Sequence, residues 1–348
     1  MSGTHAPAVR TSLESSDDPL ATLFDVALLD LDGVVYVGPS AVQGAREHLL
    51  EARSLGMRLA YVTNNASRTP DVVAAHLRDL GMPAEASDVV TSAQAAARVV
   101  AEQVPAGSRV LVVGGIGLHE ALKERGMVPV SSADDVPAAV AQGFSPDLAW
   151  PLLAEGAYAL EQGLPWVASN TDLTIPTPRG RAPGNGTLVD VLRRATGREP
   201  LVAGKPETPM HAEAVARTGS SRPLVVGDRL DTDIEGANRA GVPSLLVFTG
   251  VTDEADVVLA TDAFRPAFIA DDLAGLHHAH PSTEVDGDTW QCGSASASIR
   301  DGRLSLTRHQ PTSHRLDAVR AACAAAWTYG VRRLDPAAVR RELAAVLR

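Results

Sequence analysis

The sequence predicts an α/β protein built on parallel sheets, with a smaller α+β segment at its carboxyl end. Three observations predict it. Short apolar runs alternate with helical periodicity from about residue 24 to about residue 270. Four of those runs stop at polar residues, in "VALLDLDG", "YVTNNASR", "VAGKPET" and "LVVGDRLDTD". After about residue 272 the alternation gives way to irregular sequence, strand-like pieces and two helical runs.

The elements follow in chain order. The opening "MSGTHAPAVRTSLESSDDPL" is polar and reads as a loose extension over 1–22. "VALL" is apolar throughout, as a strand covered on both faces is. "AVQGAREHLLEARSLGM" is helical and "RLAYVTN" is a second strand. Thr69 suits an N-cap with Pro70 in the first turn of "TPDVVAAHLRDLGM". "DVVTSAQAAARVVAEQV" gives a strand and a helix. "RVLVVGG", "MVPVSS" and "PWVASN" are strands, with helices at "GLHEALKERG" and "SPDLAWPLLAEGAYALEQG". Helices at "TLVDVLRRATG", "TPMHAEAVARTG" and "DTDIEGANRAG" alternate with strands at "LVAGKP", "RPLVVGD" and "PSLLVFTG". "LAGLHHAHPSTEVDGDTWQCG" is irregular, and His277, His278 and His280 in it read as solvated linker, because Cys or acidic partners at ligand spacing are missing. Asp301-Gly302 is a turn signal between "SASASIR" and "RLSLTRH". "HRLDAVRAACAAAWTYG" and "DPAAVRRELAAVLR" are helical.

At 348 residues the chain exceeds one ordinary core, so two or three domains are expected. A net charge of −11 argues against a general nucleic-acid or anionic-membrane surface. Apolar runs are too short to span a bilayer. Cys292 and Cys323 stand in no ligand or redox spacing, which suits reduced thiols in the cytoplasm.

Asp30 and Asp32 carry the chemistry forward. Alternate strand residues face one way, so both carboxylates would point to one side and repel unless a cation sits between them. An ordinary strand end with an Asp-Gly turn would read the same. The other strand ends decide. Thr63, Asn64 and Asn65 offer a hydroxyl and two amides to phosphate oxygens. Gly204-Lys205 ends another, and Asp228, with Asp231 and Asp233 beyond, a fourth. Carboxyl ends of parallel strands converge on one crevice. Asp30, Asp228 and a backbone carbonyl would hold a hard cation such as Mg²⁺. Lys205 adds a compact positive charge. Of 31 basic residues, only it and Lys123 are lysine, so its retention is informative. A carboxylate attacking phosphorus forms an aspartyl phosphate, and a second carboxyl serves as acid and then base.

"DLDGVVYVG", "YVTNNASR", "GKPET" and "GDRLDTDIEGA" together resemble the four ordered motifs of haloacid-dehalogenase (HAD) superfamily phosphatases, class IIA. The resemblance implies Asp30 as nucleophile and Asp32 as acid/base that also lends its carbonyl to Mg²⁺. It further implies Asp228 as a metal ligand and Asp233 as a metal-site residue acting through water or outer contacts. The implied fold is a HAD-like Rossmannoid parallel sheet core (23–87 and 191–272), an inserted α/β C2-type cap (88–190) and an α+β module (273–348). The stretch from Thr63 to Lys205 exceeds one βα unit by about 100 residues, which the cap absorbs. Near the cap's exit, Asn170, Asp172, Arg179, Gly184 and Gly186 are candidates to shape the pocket, or, for the glycines, hinge geometry.

The wording of "TNNASR" and "VVGDRLDTDIEGAN" most resembles bacterial members that hydrolyse glycerol 3-phosphate. Phosphoglycolate, pyridoxal phosphate and nucleotides stay open, because the cap reads the leaving group. The partners implied are a small phosphorylated metabolite and, for assembly, a second copy of the chain as a homodimer. Two other classes fit less well. "VVGGIGLHEAL" resembles a dinucleotide loop, but Glu120 replaces its third glycine. A catalytically dead sensor would not need the full set of motif residues.

Overall fold

The computed structural model describes residues 10–177, 179–309 and 314–347; residues 1–9 of the amino-terminal extension lie outside them. The chain divides into two compact units, one running to Leu59 and resuming at Ser220, the other Ala60–Gly219.

In the first unit, strands Phe268–Ala270, Ser244–Val247, Pro223–Gly227 and Val26–Leu29 lie side by side in that order, all parallel. Val26 pairs with Pro223, Val225 with Ser244 and Leu245 with Phe268. Their side chains are buried almost without exception, which is why the sequence shows continuous apolar runs. The amino-terminal segment is not loose from Arg10 onward. Leu13 and Leu20 are buried, Ser16 and His280 exchange backbone hydrogen bonds of 2.9 and 3.0 Å, and Arg10 Nη1 donates to Asn238 Oδ1 at 2.6 Å. Two leucines among polar residues were enough to anchor it.

The carboxyl-terminal module is α+β, as expected, but "irregular" understates its start. Glu284–Asp286 and Thr289–Cys292 join Ala295–Arg300 and Arg303–Arg308 in a four-stranded antiparallel sheet. The first of these strands is exposed throughout and shows no apolar alternation to read. Asp301 and Gly302 have φ of 50° and 70°, as a tight hairpin turn requires. Helix Arg315–Tyr329 is buried on nearly every side by its small alanines. The module is no detachable appendage. Leu306, Leu316, Val319 and Trp327 form one continuous apolar core with Ile234, Leu246, Val257 and Ile269. Buried Arg320 donates to the Ile269 carbonyl at 3.1 Å.

Strand Arg58–Thr63 carries the chain into the second unit and pairs in parallel with Val89–Thr91. A separate parallel sheet runs Leu201–Val202, Trp166–Ala168, Ala139–Gln142, Arg109–Val113, Val128–Val130. Two expectations shift. Val89–Thr91 falls within the 88–190 segment yet pairs with Arg58–Thr63, whereas Leu201–Val202 falls beyond it yet joins the five-stranded sheet. Pairing partners are long-range facts that local periodicity does not carry. The Ala139–Gln142 strand went unread because "AVAQ" has little β propensity. The exposed hairpin Thr174–Thr177/Gly180–Pro183 hid behind its prolines. Fully buried Glu213 is satisfied by Arg125 at 2.6 and 2.7 Å and by Arg217 of its own helix at 2.5 Å, which joins two segments of this unit. Among the described residues no helix is long and apolar enough to cross a membrane.

Candidate active site

The first unit gathers carboxylates. Strand Val26–Leu29 ends before Asp30, whose N–H still bonds the Val226 carbonyl at 2.8 Å. The strand stops at Leu29, so strand alternation does not govern the pair: Asp30 is half-buried and Asp32 exposed. Asp30 instead meets Asp228 and Asp233, with one oxygen from each lying within 4.8 Å of the others. Asp228 follows the Pro223–Gly227 strand and is fully buried. Its Oδ2 accepts the Val251 N–H at 2.8 Å, and its carbonyl accepts the Thr252 N–H at 3.2 Å. Asp233 is buried in a π-helical turn, Leu230–Ile234, and accepts the Arg229 N–H at 3.2 Å.

Glycines make this crowding possible. Gly33 has φ +89°, and a Cβ there would stand 2.5 Å from Asp228 Oδ2. A Cβ on Gly250 would collide with the same carboxylate, and one on Gly227 with Asp233. Three converging carboxylates in a cradle stripped of side chains fit a small, hard divalent cation. Asp231 is apart, held below the ordinary carboxylate range by hydrogen bonds from Arg229 that outweigh its burial.

The second unit gathers amides around a lysine. Thr63, buried at the end of its strand, accepts the Asn65 N–H at 3.1 Å. Asn64 Oδ1 accepts the Lys205 N–H at 2.8 Å, and its Nδ2 donates to the Lys205 carbonyl and Asp172 Oδ2, both at 3.1 Å. The Asn64 carbonyl accepts from Ser92 Oγ at 2.6 Å and Asn170 Nδ2 at 2.7 Å. Both Asn64 side-chain groups are therefore spent on holding Lys205, and the reading of that side chain as a direct phosphate ligand gives way to a clamp. Asn65 Oδ1 likewise serves its own loop, accepting from Ser67 N and Oγ at 2.9 Å. Lys205 is buried, and its Nζ lies 3.4 Å from the Val62 carbonyl. Gly204 is needed here, since a Cβ would stand 2.7 Å from Asn64 Oδ1. His211, fully buried, has its pKa lowered to about 3 by burial and then by the charge of Lys205.

Asn170 and Asp172 thus belong to the clamp. Gly184 and Gly186 let the backbone of Thr171–Asp172 pack against the following helix, where a Cβ would collide. Arg179 lies exposed on the Thr174–Pro183 hairpin. The glycine run after Arg109–Val113 seats the active loop, because a Cβ on Gly117 would fall 2.6 Å from the carbonyls of Ala66 and Arg68. Ser92 and Gly250 were not anticipated, since neither stands in a motif that local sequence reveals.

Comparison with known proteins agrees with the fold. Residues 27–128 match the family model described as haloacid dehalogenase-like hydrolase, and 202–276 one described as HAD-hydrolase-like. The chain belongs to the HAD-like hydrolase family and is an enzyme of it. It is 51% identical over 258 residues to the D-glycerol 3-phosphate phosphatase of Mycobacterium tuberculosis, covering 74% of this chain and 72% of that protein. It is 36% identical to the Bacillus subtilis 5'-nucleotidase YutF, over 71% of this chain and 94% of that one. A crystal structure of the glycerol phosphate phosphatase from Mycobacterium tuberculosis in complex with magnesium superposes with a TM-score of 0.82 at 43% identity, covering 89% of this chain and 92% of that one.

Proposed function

We propose that the chain is a Mg²⁺-dependent phosphatase that hydrolyses glycerol 3-phosphate to glycerol and phosphate. One observation carries this reading: three carboxylates converge in a glycine cradle in a chain 51% identical to a glycerol 3-phosphate phosphatase. Asp30, Asp228 and Asp233, with the Asp32 carbonyl, would hold Mg²⁺, which neutralises and orients the phosphoryl oxygens when bound. Lys205, Thr63 and the Asn64 N–H bind those oxygens. Asp30 forms the bond to phosphorus while the bond to the glycerol oxygen breaks and Asp32 gives that oxygen its proton. Asp32 then takes a proton from water, which attacks phosphorus, releases phosphate and restores Asp30. The 88–190 segment, with its sheet extended to Val202, is assigned the choice of leaving group. Its exit segment, 170–186, has no aromatic residue to stack a base, which favours a polyol phosphate over a nucleotide. Buried free thiols at Cys292 and Cys323 suit the cytoplasm.

A panel of metabolite phosphates with purified protein tests the assignment. The expected result is highest kcat/KM for glycerol 3-phosphate and no turnover after chelation. Higher kcat/KM for a nucleoside monophosphate would move the chain to the nucleotidase reading, and turnover without divalent metal would remove the mechanism. Asp32→Asn should slow the first step on alkyl phosphates by about 10²–10⁴-fold. On 4-nitrophenyl phosphate, whose leaving group needs little protonation, it should give a burst with phosphate trapped on Asp30.

A further inference from the structure

Helix Ala45–Ser54 and the segment after Leu276 bring together a group that the phosphatase chemistry does not use. His48 and Glu51 are three residues apart on one helix face, and His277 meets them from the other segment. His48 Nδ1 and His277 Nε2 face each other at 3.0 Å, and Glu51 Oε2 lies 3.5 Å from His277 Nε2. One ligand atom from each falls within 4.8 Å of the others. The residues read from sequence as solvated linker thus include a half-buried histidine packed against a second one.

We propose that His48, His277 and Glu51 form a binding site for a borderline transition-metal ion, Zn²⁺ foremost. Two imidazole nitrogens and one carboxylate oxygen suit Zn²⁺, Ni²⁺ or Cu²⁺, whereas Mg²⁺ takes oxygen donors. The spacing fits as well. Ligands at about 2.0–2.1 Å from one ion would subtend roughly 90° between the two nitrogens and roughly 115° between His277 and Glu51. Gly44 leaves room for the His48 ring. Its Nε2 stands over Gly44, where a Cβ would lie 2.8 Å away, and is 3.9 Å from Asp272 Oδ1. At that distance Asp272 is not a direct hydrogen-bond acceptor, but its charge favours the proton on Nε2 and so leaves Nδ1 to ligate. The bound ion would tie helix Ala45–Ser54 to the chain entering the carboxyl-terminal sheet. Its donors are all distinct from Asp30, Asp228 and Asp233.

The test uses the full chain in excess Mg²⁺, titrated with Zn²⁺ by calorimetry and with Cu²⁺ by electron paramagnetic resonance. The expected result is a Zn²⁺ equivalent lost in a His48→Gln/His277→Gln double variant, with Cu²⁺ showing coupling to two nitrogens in the wild type alone. Asp272→Asn should weaken Zn²⁺ binding about tenfold. Each variant is checked for an unchanged metal-free melting curve and unchanged Mg²⁺-supported activity, and Glu51→Gln serves as a milder variant if the double one misfolds. Equal Zn²⁺ affinity in wild type and variants, or Cu²⁺ without two-nitrogen coupling, would overturn the site and leave a plain histidine–histidine hydrogen bond.

Discussion

The two units solve opposite electrostatic problems. In the first, Asp30, Asp228 and Asp233 come together, and glycines at 33, 227 and 250 leave out Cβ atoms that would collide with Asp228 or Asp233. In the second, Asn64 meets Lys205, Asp172, Ser92 and Asn170 in neutral and charge-assisted hydrogen bonds that leave its own side chain satisfied. The first arrangement suits the Mg²⁺ proposed above; the second holds the Lys205 backbone through its N–H and carbonyl. Convergence of like charge favours a bound cation. Convergence of amides marks positioning.

That contrast can be broken most severely at Lys205. Lys205→Arg keeps the charge but replaces a compact ammonium with a planar fork in a buried slot, and kcat should fall by about 10²–10³-fold. Steady-state kinetics at saturating Mg²⁺ checks it, and near-wild-type turnover would remove Lys205 from the reaction. Asn64→Ala should come next, at about 10²-fold in kcat, because misplacing Lys205 by about 1 Å suffices. Extra Mg²⁺ should not restore it. Gly250→Ala acts on the other side of the comparison. Its methyl group displaces the Asp228 carboxylate, so the Mg²⁺ concentration for half-activation should rise by about 10–100-fold, with kcat largely recovered at high Mg²⁺. If Mg²⁺ rescues Asn64→Ala and not Gly250→Ala, the division of labour is reversed.

The smallest effect is on stability. His211 has a folded pKa of about 3 against an ordinary 6.5, so between those values the unfolded chain binds a proton that the folded chain does not. Its contribution is intact above about pH 6.5 and is lost as pH falls toward 3. From pH 7 to pH 5 that amounts to about 2 kcal/mol. Urea unfolding of His211→Leu should show a correspondingly flatter acid dependence, and an unchanged slope would mean that His211 does not titrate as described.

The sequence by itself determined the α/β class, the four motif-bearing strand ends and the family. Apolar runs of buried strands and short motifs are local, and locality is what a single chain displays. Asp30, Asp228, Thr63 and Lys205 were legible because each sits just past such a run. Tertiary structure alone decided which groups meet. It gathered Asp30, Asp228 and Asp233, turned Asn64 from ligand into clamp, and brought His277 to His48 across 229 positions. It also fused the carboxyl-terminal module to the first unit's sheet through a core whose halves look unrelated in sequence. The physical reason is the same each time. Side-chain partners, close approaches over glycine and shared cores depend on which distant strands pair, and that is set by burial of the whole chain rather than by any local period.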